Sequence, residues 1–332
     1  MDVLMEEQQE WQVIRKQIEE KETILKDELL HFSKETKQFH QYLVDYKGEI
    51  DPHEMFINSR LLEQQQVAET VSGKQLIRLE KQKNNPYFTR VDFVYDGEQT
   101  AEKIYIGSFS FSTKEERLLI YDWRAPIASI FYDYDLGKAH FQTPAGTASG
   151  DIQRKRQIKF KDGTIDYVVE SDTTVFDEVL QNELRQQKGG QMSTIISTIQ
   201  KEQNQVIRDN RSKDMIIQGV AGSGKTSIAL HRIAFLLYHF RNRITSDQVM
   251  ILSPNRTFSR FIAQVLPELG EDPVTEWTID QFGQTLSDIA DVPSRFQEIE
   301  LLYLEKQPQL NERVRYCLLY TSPSPRDSTS SR

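Results

Sequence analysis

Gly219-Val220-Ala221-Gly222-Ser223-Gly224-Lys225-Thr226 satisfies G-x-x-x-x-G-K-[ST], the loop that wraps nucleotide phosphates. The residue types follow from the ligand. Glycines let successive backbone N–H groups turn inward on an anion. The lysine brings a cation to the β- and γ-phosphates, and the threonine hydroxyl is a Mg²⁺ ligand. The flanks fit the same reading. Met215-Ile216-Ile217 is expected to form a short buried strand before the loop. Ile228, Leu230, Ile233, Ala234, Leu236 and Leu237 recur with helical spacing after it. The loop should therefore open a helix N-terminus, where aligned N–H groups favour negative charge. A glycine-rich turn that binds nothing is the competing reading, and the strand and helix around the loop argue against it. The eight residues are candidate contacts to ATP, with Thr226 the candidate Mg²⁺ ligand.

Composition narrows the class. The chain has 332 residues, a formal net charge of -9 and one cysteine, Cys317. A single thiol supports neither a disulfide framework nor a thiolate zinc site. The first residues, MDVLMEEQQEWQ, are polar and acidic, with no signal peptide, and no apolar run is long enough to span a bilayer. A cytoplasmic protein without a membrane partner is expected. The acidic balance argues against coating nucleic acid through a diffuse positive field, but leaves local basic contacts open. Residues 317–332, CLLYTSPSPRDSTSSR, resemble one reading frame of a sequencing adapter and are expected to be no part of the fold. On that reading the native chain stops near Tyr316. An ordinary Ser/Pro-rich tail is the alternative.

Three regions precede that tail. Residues 1–85 are rich in Glu, Gln and Lys. Trp11, Ile18, Leu25, Phe32, Phe39 and Tyr46 recur every seven residues, with Ile14, Leu29 and Leu43 in the second seam. The pattern predicts a coiled-coil helix. Gly48 and Pro52 break it, and a second helix with a weaker seam is expected over 53–83. The two helices should fold back as an antiparallel hairpin about 50 Å long. Its tip carries Glu49, Asp51 and Glu54, which are ordinarily solvated turn acids. Residues 86–172 predict a small, mainly antiparallel β module. Its strands are expected over 90–95, 103–107, 118–121, 131–134, 152–160 and 165–169. Asp122-Trp123-Arg124-Ala125-Pro126 within it is read as a buried ion pair fixing a strand end, with an interaction hot spot as the alternative. Residues 173–316 alternate helix and strand, as an α/β domain should. Helices are expected over 174–187, 194–209 and 257–267, and a second strand over 248–252. The fold class is thus multidomain, α+β and α/β, ending in an incomplete P-loop domain with nucleotide at the carboxyl edge of a parallel sheet.

Ile199-Gln200-Lys201-Glu202-Gln203, the phosphate loop beyond it and Leu230-His231-Arg232-Ile233 together resemble the opening of superfamily-one helicases of the UvrD/Rep type. That resemblance implies that Gln203 reads the adenine edge, a task for an amide that both donates and accepts. It also implies that Ser253, Pro254, Asn255, Thr278 and Phe282 lie in motifs contacting single-stranded DNA. The hairpin, the DWRAP module and TIQKEQN narrow the resemblance to the HelD-like helicases, over essentially all of residues 1–316. This implies an ATP- and Mg²⁺-dependent motor whose hairpin enters the secondary channel of bacterial RNA polymerase and which releases the enzyme from nucleic acid. Glu49, Asp51 and Glu54 would then approach the polymerase's catalytic metal. The departures are equally clear. Nothing in residues 227–316 resembles the strand with a carboxylate pair that holds Mg²⁺ and activates water: Leu301-Leu302-Tyr303-Leu304-Glu305 has the apolar run but one acid. Arginines from a second RecA-like domain are absent. As it stands the chain is expected to bind nucleotide weakly and hydrolyse essentially none, although the full-length parent would be an ATPase. A 3′-to-5′ DNA repair helicase of the UvrD/Rep type is one alternative. A partner-binding module with a structural nucleotide is another.

Overall fold

The computed structural model describes residues 3–46, 51–170, 199–220, 222–254, 262–263 and 265–286. These fall into two compact units, residues 1–245 with 265–272 and residues 246–264 with 273–332.

The first unit begins with α1, Val3–Asp45, and α2, Pro52–Asn84. Nothing in α1 breaks a helix, and Arg15–Glu19 and Lys26–Glu22 add pairs one turn apart. Asp51 caps α2 by accepting the His53 N–H at 2.8 Å, and Pro52 occupies the first turn, where its missing donor costs nothing. Lys83 near the end of α2 meets Glu22 midway along α1 at 2.7 Å, so the helices run antiparallel.

What α1 packs against differs from a simple coiled coil. Trp11, Ile14, Ile18 and Leu25 are buried in one cluster with Leu79 of α2 and with Tyr87, Tyr105, Phe111, Ile120, Ile158 and Phe160 of the β module. The Trp11 ring meets Phe160 edge-on at 5.2 Å and donates its indole N–H to the Gly163 carbonyl at 3.0 Å. Beyond Leu25 the seam is looser: Phe32 and Phe39 are half-buried, and Tyr46 is exposed. The first half of the heptad seam is a sheet-packing face. Periodicity gives the face, not what covers it.

Seven strands form the sheet: β1 Thr89–Tyr95, β2 Glu102–Gly107, β3 Phe111–Ser112, β4 Leu118–Asp122, β5 Gly137–Thr143, β6 Gly146–Lys161 and β7 Thr164–Glu170. Their order is β3-β4-β2-β1-β6-β5, with β7 also pairing β6. All ladders are antiparallel except β2–β4. Side chains alternate between faces. Arg90, Tyr105 and Arg156, neighbours across the ladders, face α1. Lys155, next along β6, turns to the opposite face and donates to the carbonyls of Phe131 and Tyr134.

Two expected strands are corrected. Residues 131–133 belong to α3, Ser129–Asp133, which continues a 3-10 turn begun at Pro126, and Tyr134 is its C-cap. A short aromatic run is buried equally well by one helical turn, and Pro126 sets the turn geometry. Residues 215–217 form no strand, and Ile216 is 88% exposed. A strand needs a ladder partner, and this segment has none among the described residues.

After residue 199 the first unit contains α4, Lys201–Arg208, and α5, Lys225–His239, an amphipathic helix that buries Ile228, Leu230, Ala234, Phe235 and Leu237. The second unit contains β8, Met250–Ser253, and β9, Thr275–Thr278, which pair in parallel, followed by α6, Ile279–Leu286. The expected helix over 174–187 and most of that over 257–267 lie outside the described residues, as do Leu301–Glu305 and the 317–332 tail with Cys317.

Candidate nucleotide-binding site

The phosphate loop opens α5 as the sequence indicates. Gly222 and Gly224 have φ of +81° and +79°, left-handed values that a side chain would resist, and Gly224 caps the helix. A Cβ on Gly219 would collide with the Ser223 hydroxyl. Gly222 and Gly224 therefore sit where the backbone demands them. Lys225 is the first residue of α5, and its ammonium lies across the loop, 2.8 Å from the Gly219 carbonyl and 2.7 Å from that of Val220. Thr226 follows in the first turn of a 15-residue helix. Free N–H groups, a helix N-terminus, one lysine and one hydroxyl form a donor set that fits a Mg²⁺-bound triphosphate. Ala221 lies outside the described residues.

Gln203 sits in the first turn of α4, half-buried, and its amide oxygen accepts the Gln200 N–H at 3.1 Å. Its neighbour Asn204 is fully buried and donates to Asp133 of α3 at 2.8 Å. Arg208, one turn on, donates to Asn204 Oδ1 at 3.0 Å and to the carbonyls of Trp123, Arg124 and Ala125. Burial holds its pKa below the usual arginine value. Arg232 of α5 crosses to the Val206 carbonyl of α4 at 2.6 Å. Sequence reasoning missed this junction. Its one local signal was the Asn204/Arg208 spacing of a single helical turn.

The DWRAP segment is the other half of the junction. Arg124 is 5% exposed and grips the Asp122 carboxylate at 2.8 and 2.7 Å, with its own N–H on the same carboxylate. Glu271 binds the free side of the guanidinium. Burial works against that charge, but the carboxylates overcome it and raise the Arg124 pKa. The buried ion pair at the end of β4 is thus present. The segment also reaches α5: Arg124 stacks 4.6 Å from the Tyr238 ring, and Trp123 meets His231 edge-on at 5.6 Å.

In the second unit, Ser253 and Thr278 are register partners at the ends of β8 and β9. Thr278 caps α6: its hydroxyl accepts the Gln281 N–H, while Gln281 Oε1 accepts the Thr278 N–H, a reciprocal capping box. Ser253 is buried and Pro254 exposed, while Phe282 is half-buried against Trp277. Asn255 lies outside the described residues, as does Glu49. Asp51 is occupied as the cap of α2, and Glu54 is exposed in its first turn.

Among the described residues no helix is long and apolar enough to cross a membrane. A comparison with curated proteins found no match. The family model for the N-terminal domain of DNA helicase IV HelD matches residues 4–189, and that for DEAD/DEAH box helicases matches residues 197–304. The first match spans more than half of the chain and the second covers the phosphate loop, so the chain belongs to the HelD family of helicases.

Proposed function

We propose that the chain is the N-terminal part of an ATP-dependent motor that binds bacterial RNA polymerase and releases it from nucleic acid. The observation that carries the reading is the pairing, in one chain, of a HelD N-terminal domain with a phosphate loop that opens α5. ATP is held by backbone N–H groups of residues 222–226 and by Lys225, with Gln203 at the adenine and Thr226 on Mg²⁺. When bound, Mg²⁺ neutralises charge on the β- and γ-phosphates. Lys225 exchanges the Gly219 and Val220 carbonyls for phosphate oxygens, and the Ser223 N–H, which donates to the Val220 carbonyl at 3.2 Å, turns to the phosphates with it. Single-stranded DNA follows the Ser253–Asn255 and Thr278–Phe282 segments at the ends of β8 and β9. Glu49, Asp51 and Glu54 act at the polymerase by electrostatics alone, repelling the transcript or drawing on its metal.

The test uses stalled elongation complexes of bacterial RNA polymerase with the full-length parent. Release is expected with ATP and to be lost in Lys225→Ala, while neutralising all three tip acids weakens release without changing nucleotide affinity. Strong 3′-to-5′ unwinding with no polymerase binding would instead favour a repair helicase. Partner binding and release that survive Lys225→Ala unchanged would favour a structural nucleotide.

A further inference from the structure

Arg208 is a half-buried cation whose hydrogen bonds, among the described residues, go to neutral oxygens: Asn204 Oδ1 and the carbonyls of Trp123, Arg124 and Ala125. Its guanidinium also lies 5.8 Å from the Tyr132 ring and 5.3 Å from that of Phe235 in α5. Withdrawing a charge from water without a carboxylate in contact is expensive, and an apolar residue would fill the same volume at lower cost. What the arginine supplies is reach. One rigid fork ties α4, the DWRAP turn and α5 together. A second line runs through Asn204, whose amide spans Arg208 on one side and Asp133 on the other. Asn204 is adjacent to Gln203, and Arg232 links α5 back to α4 through the Val206 carbonyl. The elements that carry the base-side and phosphate-side candidates are therefore placed by a single junction.

We propose that Arg208, seated on the carbonyls of the DWRAP turn, is a positioning residue of the nucleotide site. It fixes Gln203 relative to the phosphate loop, so that one nucleotide spans both. The proposal rests on the reading that residues 219–226 hold a triphosphate with its base at Gln203. Its consequence is specific. Loosening the junction leaves the phosphate contacts, which lie within one loop and its helix, and blurs base recognition, which depends on the spacing between two helices.

The experiment titrates the 332-residue chain with fluorescently labelled ATP and GTP in the presence of Mg²⁺, and with tripolyphosphate as competitor. The variants are Arg208→Lys, Asp133→Ala and Lys225→Ala. Lysine keeps the charge but cannot reach three carbonyls and Asn204 together. Asp133 lies in α3, outside both helices, and its loss slackens the junction by removing the acceptor that holds Asn204. Arg208→Lys and Asp133→Ala are expected to reduce the preference for ATP over GTP by about tenfold, with tripolyphosphate affinity held within about twofold. A merely structural role would weaken all three ligands together by lowering the folded fraction. That outcome overturns the proposal, as does an unchanged preference in both variants or equal affinity of the unaltered chain for ATP and GTP. Should Arg208→Lys fail to fold, Asp133→Ala decides. Lys225→Ala separates the two levels: if it leaves triphosphate affinity intact, the nucleotide reading fails first and the positioning role falls with it.

Discussion

His231 lies one turn beyond Ser227 in α5, and its Nδ1 is 2.7 Å from the Ser227 carbonyl. An acceptor there requires that Nδ1 carry the proton, which leaves Nε2 a bare lone pair. That atom is buried without a hydrogen-bond partner among the described residues, as is the indole N–H of Trp123, whose ring His231 meets. Burial pushes the His231 pKa down to about 4, with the Ser227 carbonyl opposing the shift. The sign of the pH effect follows. Between the folded value and that of the unfolded chain, near 6.5, the unfolded state holds a proton that the folded state does not. Stability is therefore fully present above that unfolded pKa and falls as pH drops toward 4. The ceiling is about 3 kcal/mol, at 1.36 kcal/mol per unit. Denaturant unfolding of the unaltered chain and of His231→Asn at pH 7.5 and pH 4.5 measures it: the histidine chain should lose about 2–3 kcal/mol more than the variant. Parallel losses would mean that His231 is not held neutral in the folded state.

At the scale of elements, α1 carries one sequence pattern with two environments. Trp11 is 2% exposed, between Phe160 and Tyr87, whereas Phe39 at the same heptad position is half-buried. Trp11→Ala removes a large ring and strands the Gly163 carbonyl, a loss of about 3–5 kcal/mol. Phe39→Ala should cost about 1 kcal/mol or less, because its ring never fully leaves water. Urea midpoints at constant slope would give both values, and equal losses would restore the uniform seam. This contrast also marks what the sequence made legible. The phosphate loop, its helix and most strands of the β module could be read, because each rests on local chemistry: glycine spacing, helical periodicity, and runs of aromatic and β-branched residues. The covering of the seam, the α3 turn and the unpaired 215–217 segment could not, since each depends on a partner distant in the chain. Arg208 was missed for the same reason. Its acceptors are backbone carbonyls more than eighty positions away, and carbonyls leave no mark in a sequence.

At the scale of the molecule, the first unit has the N-terminus of α1 locked into the sheet by charge as well as by apolar packing. Glu7 is fully buried and accepts from Arg90 at 2.6 Å and from Arg156 at 2.8 Å. Glu6 binds both arginines at 3.0 Å, Asp92 takes the other edge of Arg90, and Glu170 takes that of Arg156. Such a network contributes little net stability against an apolar replacement, but removing one member leaves a buried charge unpaired and costs about 3–5 kcal/mol. Its partners come from α1, β1, β6 and β7, so neither the helix nor the sheet can keep its charges satisfied alone. Together with the Trp11 cluster it makes the base of the hairpin and the sheet one cooperative body. They should accordingly unfold in a single transition: helical ellipticity and Trp11 emission, isolated in a Trp123→Phe, Trp277→Phe background, are expected to share one denaturant midpoint. Arg90→Met should move both signals to lower denaturant by the same amount, because it takes from buried Glu7 one of its two arginines and from Asp92 its two-pronged partner. A helical signal that outlasts Trp11 emission, or an Arg90→Met shift confined to one of them, would mean that the hairpin folds on its own and only rests on the sheet.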